Sequence, residues 1–130
     1  MLTITPLYAG ILGLLFFGLS AMVVRQRSLD QVNLGTGGKV TLERRVRGHG
    51  NFAEYVPLIL VLMAITELSQ TAAWQLHLIG ALLLVGRLAH AYCFLFTRSS
   101  VVTRVGGMIL TFAALIMGSL SCLAIAFGTV

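Results

Sequence analysis

Apolar positions run along this chain in four long stretches, and short polar segments separate them. A helix needs about 20 residues, within a range of roughly 17 to 25, to cross the hydrocarbon core of a bilayer. The pattern therefore predicts an all-α integral membrane protein, a bundle of four transmembrane helices. We expect one membrane domain over residues 1–130, with spans at about residues 6–24, 44–69, 73–96 and 101–127.

The second span has to include charged residues in order to be long enough. Only twelve uncharged residues separate Glu54 from Glu67, which is too few to cross a membrane. The helix must therefore also include the turns from about Arg44, which places Arg47, Asn51 and Glu54 at membrane depth. These three residues have the spacing i, i+4 and i+7, so they share one helical face.

Composition and charge are those of a membrane protein with a defined orientation. Of the 130 residues, 58% are apolar and only 10% are charged. Basic residues cluster between spans one and two and again between spans three and four, whereas the turn between spans two and three has none. Because basic loops stay in the cytoplasm, we expect both termini outside it. The net charge of +5 then indicates contact with anionic lipid, and a nucleic-acid partner is not expected.

Span three carries Arg87, His90 and Phe94 at i, i+3 and i+7, so these residues also share one helical face. The two spans are antiparallel, so Glu54 and Arg87 should lie at a similar depth, about 15 to 20 Å from the cytoplasmic surface. This predicts a buried ion pair between them, with Asn51 or His90 completing the hydrogen bonds. Such polar groups can simply hold helices together. An excess of cations at a cytoplasmic mouth favours instead a small anionic ligand, because arginine forks bind carboxylates in bidentate geometry.

The remaining histidine, cysteine and tyrosine residues do not indicate a second functional site. His49 lies off the polar face of span two and His77 lies near the outer surface, so a metal site is not expected. Cys93 and Cys122 fall near opposite membrane surfaces, which argues against a disulfide. Tyr55 points about 100° away from Glu54 around the helix axis, which favours a position at an interface.

Two motifs give the chain a family resemblance. Residues 43–57 read Glu-Arg-x-x-Arg-x-His-x-Asn-x-x-Glu-x-x-Pro, and residues 86–90 read Gly-Arg-Leu-Ala-His. With the four spans, these motifs resemble the membrane-associated proteins in eicosanoid and glutathione metabolism, the MAPEG family. They are most similar to its bacterial, YecN-like branch, and the resemblance covers essentially the whole chain.

The resemblance implies a homotrimer in a bacterial inner membrane, with glutathione as co-substrate bound at each subunit interface near the cytoplasmic side. The thiol of glutathione would attack or reduce a lipophilic electrophile. By matching position, Arg47, Asn51 and Glu54 would contact glutathione, and Arg87 and His90 would line or support its site. The family activates the thiol with an arginine early in span four. Arg104 is the candidate here, with Arg98 as the alternative.

Two departures from the family pattern limit the expected chemistry. Phe94 stands where eicosanoid-forming members have a tyrosine, and Gly50 stands where one subgroup has a further arginine. Eicosanoid synthesis is therefore not expected. The alternatives to a transferase or peroxidase are a glutathione-binding protein without turnover and a small four-span transporter. The transporter is less favoured, because span one has no ionisable residue between Met1 and Val24.

Overall fold

Four helices make up the computed structural model, which describes residues 1–96 and 100–128. They are α1 (Ile4–Asp30), α2 (Val40–Leu68), α3 (Ala73–Phe96) and α4 (Val101–Ala126). Each is long and apolar enough to cross a membrane, which confirms the prediction of an all-α, four-span protein. The first two helices extend further into the basic connector than the predicted spans, since α1 ends at Asp30 and not near residue 24, and α2 begins at Val40 and not near residue 44.

The connector between α1 and α2 contains backbone conformations that favour glycine. Gly35, Gly37 and Gly38 all have positive φ angles, of 67°, 54° and 71°. Arg27 donates a hydrogen bond from Nη1 to the carbonyl oxygen of Gly35 over 2.8 Å, which ties the end of α1 to this turn. The segment thus links two helices and does not follow a strand, as a phosphate-binding loop of the Walker type would.

Helices α2 and α3 form the centre of the bundle, because each packs against all three of the other helices. The inward side chains of α2 include Phe52, Val56, Ile59 and Met63, all of which are buried. Pro57 lies inside this helix. A proline has no N–H to donate to the carbonyl four residues earlier, so the hydrogen-bond ladder of α2 is interrupted at that point.

The most extensive contact in the bundle is between α3 and α4. It depends on Gly86 and Gly107, whose backbones approach so closely that a Cβ atom on Gly107 would lie 2.7 Å from the carbonyl oxygen of Gly86. Small residues that permit such an approach are typical of helix packing in membranes. Further along α4, Ala114 and Gly118 are also buried, and Gly118 faces Leu62 of α2. Small residues on α4 therefore form a packing surface toward the neighbouring helices.

The carboxylate of Glu67, in the last turn of α2, caps the first turn of α1. It accepts the backbone N–H groups of Thr3, Ile4 and Thr5 and is itself buried. The first N–H groups of a helix have no partners within it, and they carry the positive end of the helix dipole. Glu67 thus satisfies these donors with a charge of the favourable sign.

Candidate functional site

A groove of about 540 Å³ opens between the first half of α2, the end of α3 and the start of α4. One wall is polar and comes from α2, and the facing wall is largely apolar and comes from α4. The lining residues are Arg47, Asn51 and Tyr55 from α2, His90 and Phe94 from α3, and Arg104, Val105, Met108, Ile109 and Phe112 from α4. Residues far apart in the sequence thus form one amphipathic cleft.

Four of the predicted site residues line this groove: Arg47, Asn51, His90 and Arg104. Both arginines are exposed, so their guanidinium groups are available to a ligand. The ring of His90 is nearly buried and lies 4.8 Å from the ring of Phe94, centroid to centroid. The structure therefore brings these residues together, while their roles stay predictions.

Arg87 lies beneath the groove and is only 1% exposed. Its Nη1 donates to Oδ1 of Asn51 over 2.7 Å, and its Nη2 donates to Oγ1 of Thr111 over 2.6 Å and to the sulfur of Met108 over 3.3 Å. The guanidinium carbon is 5.9 Å from the ring centroid of Tyr55, within the range of a cation–π contact. The Nε–H of Arg87 is buried without a partner among the described residues.

The predicted ion pair between Glu54 and Arg87 is wrong. Glu54 is exposed and does not line the groove, and Arg87 is bound to neutral acceptors instead. The reason is helical geometry, since Glu54 lies about 60° from Asn51 and about 100° from Tyr55 around the axis of α2. The face of α2 that meets Arg87 is the one with Asn51 and Tyr55. The buried cation is therefore left without a carboxylate among the described residues.

Sequence reasoning missed the roles of Tyr55 and Thr111 in this region. Tyr55 lines the groove, and its ring lies 5.7 Å from that of Phe112, edge to face, while its expected position at an interface stays a prediction. The spacing of four residues from Asn51 could have indicated this position. Thr111 is fully buried and donates to the carbonyl oxygen of Gly107 over 2.8 Å. A single threonine in an apolar helix gives no comparable signal.

The other histidines and the cysteines lie away from the groove. His49 stacks on Phe16 and contacts Oγ of Ser20 over 3.0 Å, and His77 contacts the hydroxyl of Tyr8. Neither Cys93 nor Cys122 forms a disulfide within the part of the chain that the structure describes. Within residues 1–96 and 100–128, no group of three or more histidine, cysteine, aspartate or glutamate side chains is placed to hold a metal ion.

Arg104 occupies a junction between the groove and a smaller neighbouring cavity. The smaller cavity is also bordered by Arg44, Cys93 and Ser100. Ser100 is the N-cap of α4 and its side chain accepts the backbone N–H of Thr103, so Arg104 belongs to the first turn of that helix. Arg98, the alternative to Arg104, lies outside the described residues.

Four apolar helices with a cationic cleft near one end define a membrane protein with a candidate site for a small anionic ligand. The MAPEG family matches residues 5–124, and the chain belongs to that family. It is 41% identical, over 91 residues and 70% of either chain, to the inner membrane protein YecN of Escherichia coli K12. The same figures apply to YecN of Escherichia coli O6:H1. No solved structure matches the chain significantly.

Proposed function

We propose that this protein is a membrane-bound, glutathione-dependent transferase or peroxidase acting on lipophilic electrophiles. The observation that carries the proposal is the groove itself, which gathers Arg47, Asn51, His90 and Arg104 from three helices of a MAPEG protein. The family includes glutathione transferases and related enzymes. Glutathione is a small peptide with two carboxylates, and exposed guanidinium groups are suited to bind them.

The two walls of the groove suit the two reactants. The polar wall of α2 would hold glutathione, whereas Val105, Ile109 and Phe112 on α4 would contact an apolar co-substrate. These three side chains are also partly exposed on the outer surface of the bundle. A co-substrate dissolved in the bilayer could therefore reach the groove from the lipid side.

Arg104 would stabilise the thiolate of glutathione over the thiol, since a nearby cation favours the charged form. In a transferase reaction the sulfur of the thiolate attacks an electrophilic carbon, a C–S bond forms, and the leaving group departs with its electron pair. In a peroxidase reaction two glutathione molecules would be oxidised to the disulfide, while a hydroperoxide is reduced to an alcohol and water. No protein nucleophile is needed in either reaction.

The assembly and orientation belong to the same proposal. We place the chain in a bacterial inner membrane, as its relative YecN is named, with both termini outside the cytoplasm and glutathione entering from the cytoplasm. A homotrimer would cover exposed polar groups at membrane depth. Glu54, which faces away from the groove of its own subunit, could then reach glutathione held mainly by a neighbouring subunit.

A glutathione-binding protein without turnover is the second candidate. It is favoured by Phe94, which lines the groove without a hydroxyl group that could assist the reaction. A transporter has less support, because Glu54, the carboxylate that would couple proton binding to transport, does not line the groove.

Isothermal titration calorimetry with reduced glutathione, on the protein in lipid nanodiscs, tests the proposal. We expect binding by the unmodified protein and binding at least about tenfold weaker in Arg47→Ala, as expected for the loss of a charged hydrogen bond. Arg25→Ala is the matched control, because Arg25 is an exposed arginine on α1 that does not border the groove. Absence of heat in the unmodified protein would overturn the proposed function.

A further inference from the structure

The hydrogen bond between Arg87 and Asn51 fixes the direction in which Asn51 faces. A guanidinium group has only N–H donors, so the Asn51 atom that meets Arg87 has to be the acceptor, Oδ1. The amide nitrogen Nδ2 of Asn51 is therefore turned the other way. Among the described residues Nδ2 has no hydrogen-bond partner, although Asn51 lines the groove.

Arg87 is itself held in place from the other side. Thr111 donates its hydroxyl proton to the carbonyl oxygen of Gly107, so its Oγ1 is left to accept from Nη2 of Arg87. Both Nη atoms of Arg87 thus have fixed acceptors. Because Arg87 is only 1% exposed, it does not contact a ligand in the groove directly, and it sets the geometry of the groove through the residues that it contacts.

We propose that Arg87 is a positioning residue that holds Asn51 as a hydrogen-bond donor, so that this position of the groove selects a carboxylate or carbonyl oxygen of the ligand. The inference rests on the proposed glutathione site. In that site the Nδ2 donor would meet an oxygen of the peptide, and the amino group of glutathione would have to lie elsewhere, since two donors cannot pair.

Two substitutions of Asn51 separate this role from a purely structural one. Asn51→Asp retains an acceptor for Arg87 and adds an opposite charge, but it removes the N–H donor. Asn51→Ala removes the donor without adding charge. We expect both variants to bind reduced glutathione at least about tenfold more weakly in nanodisc calorimetry. Only Asn51→Ala should lower the melting temperature, because only it leaves Arg87 without its acceptor.

Arg87 variants test the positioning step directly. Arg87→Lys places another side chain with only donors beside Asn51 and should retain most of the affinity for glutathione. Arg87→Met leaves the amide group of Asn51 free to rotate and should weaken glutathione binding several-fold. Gln75→Ala is the matched control, because Gln75 donates to Ser121 over 2.7 Å and so links α3 to α4 away from the groove. Its affinity for glutathione should equal that of the unmodified protein.

Each remaining outcome counts against the inference. Unchanged affinity in Asn51→Asp overturns it, as does a loss confined to Asn51→Asp, which would indicate charge repulsion alone. A lower melting temperature in Asn51→Asp would contradict the stated contact with Arg87. Failure of the unmodified protein to bind glutathione overturns the proposed function and this inference together, whereas binding that tolerates both Asn51 variants overturns only the inference.

Discussion

Glu67 accepts the backbone N–H of Thr5 over 2.7 Å, across the junction between the end of α2 and the start of α1. With Thr3 and Ile4 bound to the same carboxylate, one side chain caps three otherwise unpaired donors. Charged hydrogen bonds of this kind are worth about 1.5 to 3 kcal/mol each at most, and they share a single desolvation cost. Glu67 therefore links the start of α1 to the end of α2 through three hydrogen bonds.

We expect Glu67→Ala to lower the free energy of unfolding by about 2 kcal/mol, since it leaves the first N–H groups of α1 uncapped. Glu67→Gln retains one acceptor oxygen and should lose less. Reversible unfolding in mixed micelles measures both. The matched control is Glu43→Ala, an exposed carboxylate in the first turn of α2, whose loss should be below about 1 kcal/mol. Equal losses for the two alanine variants would contradict the capping role.

Gly107→Ala should destabilise the bundle by about 1 to 3 kcal/mol, the usual effect of an extra methyl group in a tightly packed contact. The new Cβ would lie 2.7 Å from the carbonyl oxygen of Gly86 and 3.0 Å from the backbone nitrogen of His90, and backbone atoms cannot move aside cheaply. Gly106→Ala is the adjacent control, because no atom lies within 4 Å of its Cβ position. Thermal unfolding of the two variants should differ clearly, and similar values would refute the close contact.

Arg104→Ala should slow conjugation of glutathione to an aryl halide by about ten- to a hundredfold, because the thiolate loses its stabilising cation. The increase of the rate with pH should also be shifted to higher pH than in the unmodified protein, since without the cation the thiol of glutathione ionises less readily. Arg104→Lys should keep part of the activity. Stopped-flow spectrophotometry follows the product, with Arg25→Ala as the control. An unchanged pH profile in Arg104→Ala would exclude thiolate stabilisation by this residue.

Glu54→Ala should weaken glutathione binding by about tenfold even though Glu54 lies outside the groove of its own subunit. This expectation holds only if a second copy covers that face of α2. Native mass spectrometry of the protein released from nanodiscs should show a trimer. A monomer or dimer, or full affinity in Glu54→Ala beside the control Glu43→Ala, would refute a site shared between subunits.

The four helices could be predicted from the sequence because their signal is local. Apolar stretches of membrane length need no knowledge of their neighbours, and the charge-based argument that extended span two to about Arg44 holds, since α2 begins at Val40. The gathering of Arg47 and Asn51 was also predictable, because a spacing of four residues places them on one face of α2, whereas the position of His90 beside them was expected from the family resemblance.

Which side chains from different helices contact each other inside the bundle could not be predicted in the same way. Glu54 and Arg87 were expected at equal depth, which suggested that they would meet, but depth does not fix how α2 is rotated about its own axis. A rotation of about 60° is enough to bring Asn51 toward Arg87 in place of Glu54. Glu67 shows the same limit. It looked like the charged end of a span, and only the position of α1 beside it makes it a cap.

Pro57 gives α2 two mechanically distinct halves. The half before it carries Arg47, Asn51 and Tyr55 in the groove, and the half after it carries the Glu67 cap. A helix bends most easily where a ladder hydrogen bond is missing. The missing hydrogen bond therefore separates the part of α2 that shapes the groove from the part that anchors α1, so that a change in one half need not disturb the other.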